Sequence, residues 1–521
     1  MKGCMKKRTA LLLAVLMLVL CLAGCGGKDN AGGTEGFSVT FAKPFGVDEE
    51  GINQTLERWK SLSDVPIEWN YLSSSDTAEA LKLLFATGDY PEVILSNYLQ
   101  TTDVSKYAAN GILLPLDEYI NETDTPNLYQ LFQDRPKLKA SNYLPDGHMY
   151  SLPQLMEFQP MFLENVLFIN KVWLDKLGLA VPTTTEELKE VLRAFKTDDP
   201  NGNGLQDEIP MSFNPKCGYA YPEALLSCWG VSTKNGTFDS YCTVQNGEVK
   251  FAPMMDEWKE LMKFYRELYS EGLLDMEVFT HNTETFQAKL KANPSKVGFV
   301  WYQSNPMANP DEYIAIAPLR ATDKDPLWRI HPGIIGSRNL FSITKACKNP
   351  TAAMKWIDKF YAFEQSVQNQ YGNVGKTLSV NSDGMYTWND PPEGKTMSAF
   401  INENKVVSGS PSAIRAEDIG TKIEKSETWK AMEENFELYE KYIDPEPWVR
   451  PYYSLDEANR FGELTTDIFK LVDEKKAKWI IGTEDVDADW EKYKQNLIDM
   501  GVQEMLEINQ AAYDRYVEAM K

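Results

Sequence analysis

Hydrophobic and polar residues follow two periods along the first part of the chain. A period of two predicts strands at Ser38–Lys43 and Pro66–Leu72, and a short apolar run predicts a buried strand at Glu92–Ser96. Between these strands, apolar residues recur at helical spacing over Asp48–Leu62 and Asp76–Thr87. This βαβαβ order predicts a parallel sheet flanked by helices.

A second region of strands and helices begins after Gly147. The predicted strands are His148–Pro153, Glu164–Asn170, Ser295–Tyr302 and Tyr313–Leu319. The predicted helices are Lys171–Gly178, a helix opened by the capping box Thr184–Glu187, Met255–Ser270, Thr351–Tyr371 and a helical tail from Ser454. With 521 residues, the chain is long enough for two domains.

The N-terminus has the pattern of a secretory signal. Basic residues precede an apolar run from Ala10 to Ala23, which is shorter than the roughly 20 residues of a comfortable membrane span and suits the core of a signal peptide. The run ends in LAGC, which resembles a bacterial lipobox and implies cleavage before Cys25 and a diacylglyceryl group on its sulfur. An ordinary signal peptide with a chance cysteine is the alternative. We expect a signal peptide over 1–24, a flexible tether over 25–36, and a lipid anchor on the extracellular face of the cell membrane.

The formal net charge of −23 argues against two classes of partner. Nucleic acids and anionic membrane surfaces attract basic proteins, because binding to nucleic acid depends on neutralising phosphate charges. No second apolar run in the sequence is long enough to span a bilayer. We therefore expect a folded body that the lipid alone holds to the membrane.

Cysteine and histidine are too scarce to predict catalysis or a zinc site. Beyond the signal and Cys25, the cysteines are Cys217, Cys228, Cys242 and Cys347, and no CxxC motif occurs. An extracellular compartment permits disulfides among these four, but the sequence does not pair them. The three histidines are scattered singly and provide little material for a zinc site or a His-based triad.

The loop DPNGNGLQDEIP, Asp199–Pro210, has the spacing of a cation-binding loop. When the loop is aligned with the twelve positions of an EF-hand loop, the expected oxygen donors are the side chains of Asp199, Asn201 and Asn203, the Leu205 carbonyl, and the carboxylates of Asp207 and Glu208. Position twelve is Pro210 where an EF-hand has glutamate, so the loop is only EF-hand-like. We predict one structural Ca²⁺ site, because all donors come from one loop, and Mg²⁺ fits less well because it prefers to keep its waters. An Asx-rich turn that binds nothing is the alternative.

Several motifs occur in an order that resembles one family. They are TGDYPEVI, NGILLPLDEYI, DGHMYSLP, LFINKVWLDKLGL, DPNGNGLQDEIP and KVGFVWY. Together they resemble the extracellular solute-binding proteins of family 1, the substrate-capturing lipoproteins of ABC importers, and in particular the LipO-like branch common in Gram-positive bacteria. One departure is YGNVG at Tyr371–Gly375, where the branch often has a YGIEG-like element. Val374 replaces the usual acid, so any ligand or hinge role of that acid is absent here.

The resemblance implies an α/β fold of the periplasmic-binding-protein-like type II, with two lobes joined by a hinge. We expect 37–146 and 303–326 in the first lobe and 147–302 and 327–521 in the second. A sugar-type ligand would close between the lobes and pass to the transmembrane subunits of an ABC permease. The resemblance also implies that the calcium site is structural and that the chain is a monomer without enzymatic activity.

Sugar binding requires an aromatic platform with amides and carboxylates beside it. The chain has 13 Trp, 25 Tyr and 23 Phe, most of which must lie in the core. The best candidates follow the carboxyl ends of predicted strands, where α/β crevices open. They are Trp301, Tyr302, Asn97, Tyr98 and Gln154, with Trp328, Arg329 and His331 near an expected lobe crossing. For each aromatic, Trp301 included, a core role is the alternative, and His331 could equally be structural.

Two other functions stay open on the sequence alone. A secreted glycoside hydrolase needs two carboxylates at a set separation, and no motif singles out a pair among the 76 acidic residues. A peptide-binding receptor needs charged clamps for the peptide termini, which the sequence neither predicts nor excludes. We expect capture of a carbohydrate, most simply an oligosaccharide, by a protein that does not cleave it.

Overall fold

The computed structural model describes residues 35–42, 48–73, 77–95, 99–234, 236, 240–330, 337–407 and 409–521. The predicted signal peptide and Cys25 lie outside these ranges. Within them, no helix combines the length and the apolar character that crossing a membrane requires.

Fourteen strands occur in the described part of the chain. They are β1 Phe37–Ala42, β2 Ile67–Leu72, β3 Val93–Leu95, β4 Leu152–Met156, β5 Val166–Asn170, β6 Ile209–Met211, β7 Cys242–Gln245, β8 Glu248–Phe251, β9 Val297–Tyr302, β10 Tyr313–Ile316, β11 Ser337–Ile343, β12 Leu378–Val380, β13 Tyr386–Trp388 and β14 Ser412–Ile414. Ten of them form two large sheets, and the others form the antiparallel pairs β7–β8 and β12–β13.

The first sheet has the order β14-β4-β11-β3-β1-β2. Strand β11 is antiparallel to its neighbours β3 and β4, and every other pair in the sheet is parallel. The predicted βαβαβ start is confirmed, with Phe37 of β1 paired to Ile67 of β2 and Val39 paired to Val93 of β3. Because five strands point the same way, their carboxyl ends share one edge, and β11 begins at that edge.

The second sheet has the order β10-β5-β9-β6. Strand β5 is antiparallel to β9 and β10, whereas β6 is parallel to β9. The carboxyl ends of β6 and β9 therefore lie at the same edge as the amino end of β5.

Sixteen α-helices accompany these strands in the described ranges. They are α1 Glu49–Ser61, α2 Thr77–Thr87, α3 Thr101–Ala109, α4 Pro126–Asp134, α5 Pro136–Ala140, α6 Lys171–Leu177, α7 Thr185–Thr197, α8 Asp256–Ser270, α9 Thr283–Leu290, α10 Pro350–Asp358, α11 Phe363–Tyr371, α12 Met397–Glu403, α13 Glu427–Tyr439, α14 Leu455–Ile481, α15 Val486–Asp499 and α16 Val502–Ala519. Short 3₁₀ turns connect several of them.

Local sequence accounts for the ends of several helices. The predicted capping box at Thr184 is present, with Thr184 Oγ1 accepting from Glu187 N and the Glu187 carboxylate accepting in return. The single helix predicted over Thr351–Tyr371 is wrong, because a 3₁₀ turn at Lys359–Tyr361 divides it into α10 and α11. The break allows the adjacent residues Phe360 and Tyr361 both to be buried.

Each large sheet carries its own hydrophobic core, so the predicted two-lobed α/β architecture is confirmed. The predicted lobe boundaries differ from the structure in two places. Residues 303–326 were expected in the first lobe, yet β10 pairs with β5 of the second. Conversely, β4, β11 and β14 belong to the first sheet although 147–302 and 327–521 were expected in the second lobe. Strands of both sheets carry a similar mixture of buried apolar residues and a few polar ones, so composition does not reveal which sheet a strand joins.

The chain passes between the lobes from β4 to β5, from β10 to β11 and between β14 and α13, and residues 442–453 reach the first lobe once more before the chain returns to the second. A cluster of buried apolar residues surrounds these crossings and includes Phe158, Ile330, Tyr371 and Trp429. Helix α13 contributes Trp429, near its start, to this cluster and Tyr439, its last residue, to the core of the second lobe. The C-terminal helices α14 to α16 then pack on the second lobe, and α14 also contacts α3 of the first lobe.

Candidate functional site

Two tyrosines form an aromatic surface at the edge of the second sheet where β9 ends. Tyr302 is the last residue of β9 and pairs with Val166 of β5, and Tyr219 lies in the loop that follows β6. The two ring centroids are 5.4 Å apart with the planes at 47°, and Tyr219 is 36% exposed. Gln287 Nε2 lies 3.4 Å from the Tyr302 hydroxyl. Burial raises the pKa of Tyr302 to about 12, so its hydroxyl stays protonated and can donate.

The amino end of β5 brings a group of buried charges to the same edge. The Glu164 carboxylate accepts from Lys234 Nζ at 2.9 and 3.0 Å, and Arg329 Nε lies 3.7 Å from Glu164 Oε2. Glu164 and Arg329 are each 5% exposed. The charges therefore compensate one another in a place where an unpaired charge would be costly.

The loop that carries Tyr219 is held by Asn165. The Asn165 amide donates to the main-chain oxygen of Tyr219, and its oxygen accepts from the Tyr221 hydroxyl at 2.8 Å. The indole of Trp328 donates to the main-chain oxygen of Asn165 at 2.8 Å. Trp328 was expected near the ligand, but it is only 1% exposed, and the structure places it beneath the loop as a support.

Trp301, the expected sugar platform, lies in the core of the second lobe. It has no exposed surface, its Nε1 donates to Tyr221 O at 2.9 Å, and its ring centroid is 6.0 Å from that of Phe213. It therefore presents no ring face on which a sugar could stack, and the core alternative describes it. Tyr302, the next residue, points to the opposite face of the strand and is partly exposed.

Gln154 is buried in β4 of the first sheet. Its Nε2 donates to Ser412 Oγ at 3.3 Å, and Gln370 Nε2 donates to the same oxygen at 3.2 Å. Gln154 is only 8% exposed, so its side chain links β4 to β14 and, through Ser412, to α11, and little of it is accessible to a ligand in this arrangement. The remaining ligand candidates, Asn97, Tyr98 and His331, lie outside the described residues.

Sequence reasoning missed Tyr219 and Trp388. Trp388 is a half-buried residue of β13 whose Nε1 donates to Glu424 O at 2.8 Å and whose ring lies 5.1 Å from that of Tyr371 in the cluster around the crossings. Tyr219 would have been found by the rule that pointed to Tyr302, because it follows the carboxyl end of β6. That three-residue strand was not predicted, since Ile209–Met211 directly follows the acidic loop and contains a proline.

The acidic loop folds around its own side chains, as an EF-hand-like loop does. The Asp199 carboxylate accepts from the main-chain nitrogens of Gly202, Asn203 and Gly204 at 3.0, 3.1 and 3.0 Å. Asp199 itself has a φ of 44°, and Gly204 has a φ of 77°, a conformation that glycine adopts without strain. The side-chain oxygens of the loop are thereby drawn toward its centre.

Glu208 carries the clearest indication of a bound cation. Both of its carboxylate oxygens are buried, and neither has a hydrogen-bond partner in the described part of the chain. Burial raises the pKa of Glu208, the main-chain N–H groups of Glu208 and Asn201 partly oppose this, and the negative charges of Asp199 and Asp207 add to it. Asp207 accepts from Asn203 Nδ2 at 2.9 Å and from Lys296 Nζ at 2.5 Å. A hard cation would neutralise this crowding of carboxylates.

The donor set consists of oxygen atoms only, which suits Ca²⁺. Among the described residues, no three acidic, histidine or cysteine side chains converge on one point, so any site here must also use the Asn and carbonyl oxygens of the loop. The four cysteines Cys217, Cys228, Cys242 and Cys347 are free thiols.

Comparisons with known proteins agree with this architecture. The family model of bacterial extracellular solute-binding proteins matches residues 47–366. The chain is 30% identical to the fructooligosaccharide ABC transporter substrate-binding protein FusA of Streptococcus pneumoniae, over 98% of this chain and 98% of FusA.

Two solved structures share the fold over most of their length. An EF-hand mutant of FusA from S. pneumoniae in complex with fructo-nystose has a TM-score of 0.81 and 28% identity, covering 93% of this chain and 100% of that one. An HMO-binding, ABC-transporter-associated solute-binding protein of Bifidobacterium longum infantis has a TM-score of 0.81 and 28% identity, covering 93% and 99%. These likenesses confirm the type II fold, and the chain belongs to the bacterial extracellular solute-binding proteins, as its ordered motifs predicted.

Proposed function

We propose that the chain captures an oligosaccharide between its two lobes and delivers it to the permease of an ABC importer. The observation that carries this proposal is the pair Tyr219–Tyr302, which offers two partly exposed ring faces beside the Gln287 amide. Aromatic faces suit the C–H face of a sugar ring, and amides and hydroxyls suit its edge. The 30% identity with a fructooligosaccharide-binding protein over nearly the whole chain supports the same ligand class.

The charges near this pair favour a neutral ligand. Glu164 is paired with Lys234 and lies 3.7 Å from Arg329, so each of these three charges already has an opposite charge beside it. A peptide ligand would instead call for charged groups directed at its termini. A neutral sugar of two or more residues is therefore the better match, and the protein is expected to release it intact.

The acidic loop is proposed to hold one structural Ca²⁺. Asp199, Asn201, Asn203, the Leu205 carbonyl, Asp207 and Glu208 would supply the oxygens, and the orphaned Glu208 carboxylate supports this assignment. The loop lies beside β6, so a cation there would stabilise the strand that leads to Tyr219. The existence of an EF-hand mutant of FusA agrees with a site of this kind in a relative.

The chain is proposed to work as a monomer held to the outer face of the cell membrane through a lipid on Cys25. The sequence LAGC after a basic and apolar leader supports this anchor. A tether of about a dozen residues between the lipid and β1 would leave the lobes free to reach the permease.

Titration calorimetry with fructo-nystose and a panel of neutral and acidic oligosaccharides tests the proposal. Tyr219→Ala and Tyr302→Ala are expected to lower affinity for the best ligand at least tenfold, because truncating an aromatic anchor costs about 2 kcal/mol or more. Tyr219→Phe keeps the ring and is expected to bind almost as wild type does. Normal binding by both alanine variants would contradict the aromatic site.

A companion measurement separates the alternatives. Chromatography of the sugar after prolonged incubation is expected to return it unchanged, whereas shortened products would identify a hydrolase. Binding of peptides but of no sugar in the panel would favour the peptide receptor.

A further inference from the structure

Residues 442–453, which we call the strap, run alongside the second crossing between the lobes. At its start, Trp328 N donates to Tyr442 O at 2.6 Å and Asp444 N donates to Trp328 O at 2.9 Å. Further along, Arg338 Nη1 donates to Arg450 O at 3.1 Å. The strap therefore runs in the same direction as the crossing, from the second lobe to the first.

Tyr452 is inserted into the first lobe at the end of this strap. It is 6% exposed and packs in a cluster whose other buried members all belong to the first lobe, among them Phe85, Val104 and Tyr150. The Arg338 guanidinium lies 5.4 Å from the centre of its ring. Because the ring is enclosed on the first lobe, Tyr452 is not placed to contact a ligand between the lobes.

The Tyr452 hydroxyl is bound by Asn339, a residue with a positive φ. It donates to Asn339 Oδ1 at 2.7 Å, and Ser151 Oγ donates to the same oxygen at 2.9 Å. Asn339 Nδ2 in turn donates to Leu99 O at 3.1 Å. Asn339 has a φ of 59° and lies where the pairing of β11 with β4 shifts register, so the acceptor is held by strained backbone.

Tyr453, the next residue, belongs to the other lobe. It has no exposed surface, its hydroxyl donates to Asn509 Oδ1 at 2.7 Å, and its ring stacks on Phe461 at 5.0 Å. Two consecutive side chains are thus buried in two separate cores. Between them there is only one peptide unit, which leaves little length to absorb movement.

We propose that Tyr452 is the pin of the interlobe pivot. Its hydroxyl and ring fasten the strap to Asn339, so that the lobes rotate about this point rather than slide or twist freely. Two lobes with separate cores and short connections are expected to move relative to each other. By restricting the lobes to fewer relative orientations, the pin reduces the conformational entropy that is lost when the lobes close on a ligand. Tyr452 therefore acts as a positioning residue for affinity.

The first test needs no ligand. Spin labels at exposed positions 83 in the first lobe and 276 in the second, in a Cys217→Ser background, report the distance between the lobes by pulsed electron resonance. Tyr452→Phe is expected to broaden the distance distribution relative to the otherwise identical protein. Tyr453→Phe, which removes a hydrogen bond within the second lobe, is the matched control and is expected to leave the width unchanged. An unchanged or narrower distribution for Tyr452→Phe, or equal broadening by Tyr453→Phe, overturns the proposal.

The second test rests on the proposed function and uses fructo-nystose with native cysteines. Tyr452→Phe is expected to weaken affinity about threefold or more, because lobes without this fastening lose more orientational freedom when they close on the ligand. Asn339→Gly deletes the acceptor while keeping the backbone conformation, and it also removes the bonds to Ser151 and Leu99, so it is expected to cause at least the same loss, and adding Tyr452→Phe to it is expected to cause no further loss. Full additivity, or no loss in Tyr452→Phe, overturns the pin. If wild type does not bind fructo-nystose, the choice of ligand fails, and the distance measurement alone decides about the pin.

Discussion

The indole of Trp301 donates a hydrogen bond to the main-chain oxygen of Tyr221, at a distance of 2.9 Å. This bond satisfies the only polar atom of a fully buried side chain. It also joins the end of β9 to the residue before the 3₁₀ turn Pro222–Trp229, in the core beneath the candidate site.

Trp301→Ala is expected to lower the free energy of unfolding by about 3–5 kcal/mol, because it leaves a large cavity. Tyr302→Ala removes a side chain that is already partly exposed and is expected to cost less stability but more affinity. Denaturant unfolding and calorimetric titration of both variants separate the two roles. A Trp301→Ala protein of normal stability that fails to bind sugar would restore Trp301 as the platform.

In the acidic loop, Glu208→Gln is expected to lower stability when calcium is present and to raise it when calcium is removed. With calcium present, Glu208→Gln is expected to melt at a lower temperature than wild type, because it loses a charged ligand of a cation that stabilises by about 2.7 kcal/mol at a hundredfold excess over Kd. With chelator, the neutral amide is expected to be more stable than the buried, orphaned carboxylate.

Thermal melts with calcium and with chelator check this reversal. Asp198→Asn, an exposed neighbour outside the donor set, is the control and is expected to respond as wild type does. A melt of wild type that chelation leaves unchanged contradicts the calcium site.

His281 makes stability depend on pH. Burial lowers the pKa of His281, and the nearby Lys289 ammonium lowers it further. His281 Nε2 lies 3.0 Å from Phe213 O and must donate, so Nδ1 is left to accept from Lys289 Nζ at 3.3 Å. A proton on Nδ1 would face that ammonium, and the Asp275 carboxylate, 3.7 Å from Nδ1, offsets only part of the lowering of the pKa.

The sign of the effect follows from this arrangement. As pH falls below about 6.5, the unfolded chain takes up a proton before the folded one does, so the contribution of His281 to stability is lost through this range. His281→Gln can keep both hydrogen bonds without titrating, and the difference in unfolding free energy between it and wild type is expected to change between about pH 7.5 and 5. A constant difference would show that His281 is not responsible.

Cys25→Ser is expected to release unanchored or unprocessed protein, because serine lacks the sulfur that carries the lipid. Fractionation of cells into membrane and medium measures this directly. A variant as firmly bound to the membrane as wild type would mean that the lipobox interpretation is wrong.

Local patterns predicted elements well, and long-range placement poorly. The βαβαβ start and the Thr184 cap follow from periodicity and capping chemistry within a few residues. The lobe to which β10 belongs does not follow from such local patterns, because the sequence YIAI could pair with either sheet. Only the pairing of β10 with β5 places it in the second lobe. Likewise, alternation put Trp301 and Tyr302 on opposite faces, but both faces of β9 are largely covered, and Phe213 and Tyr221, which contact Trp301, come from a distant segment.

The position of β11 constrains the order in which the protein can fold. This strand lies between β3 and β4 in the first sheet, yet residues 337–343 are made only after every strand of the second sheet. During synthesis the N-terminal βαβαβ unit therefore lacks the neighbour of its strand β3, and β4 cannot yet be joined to that unit. The sheet that begins first along the chain is thus completed last, because β14 at Ser412–Ile414 also joins it only after the strands of the second sheet have been made.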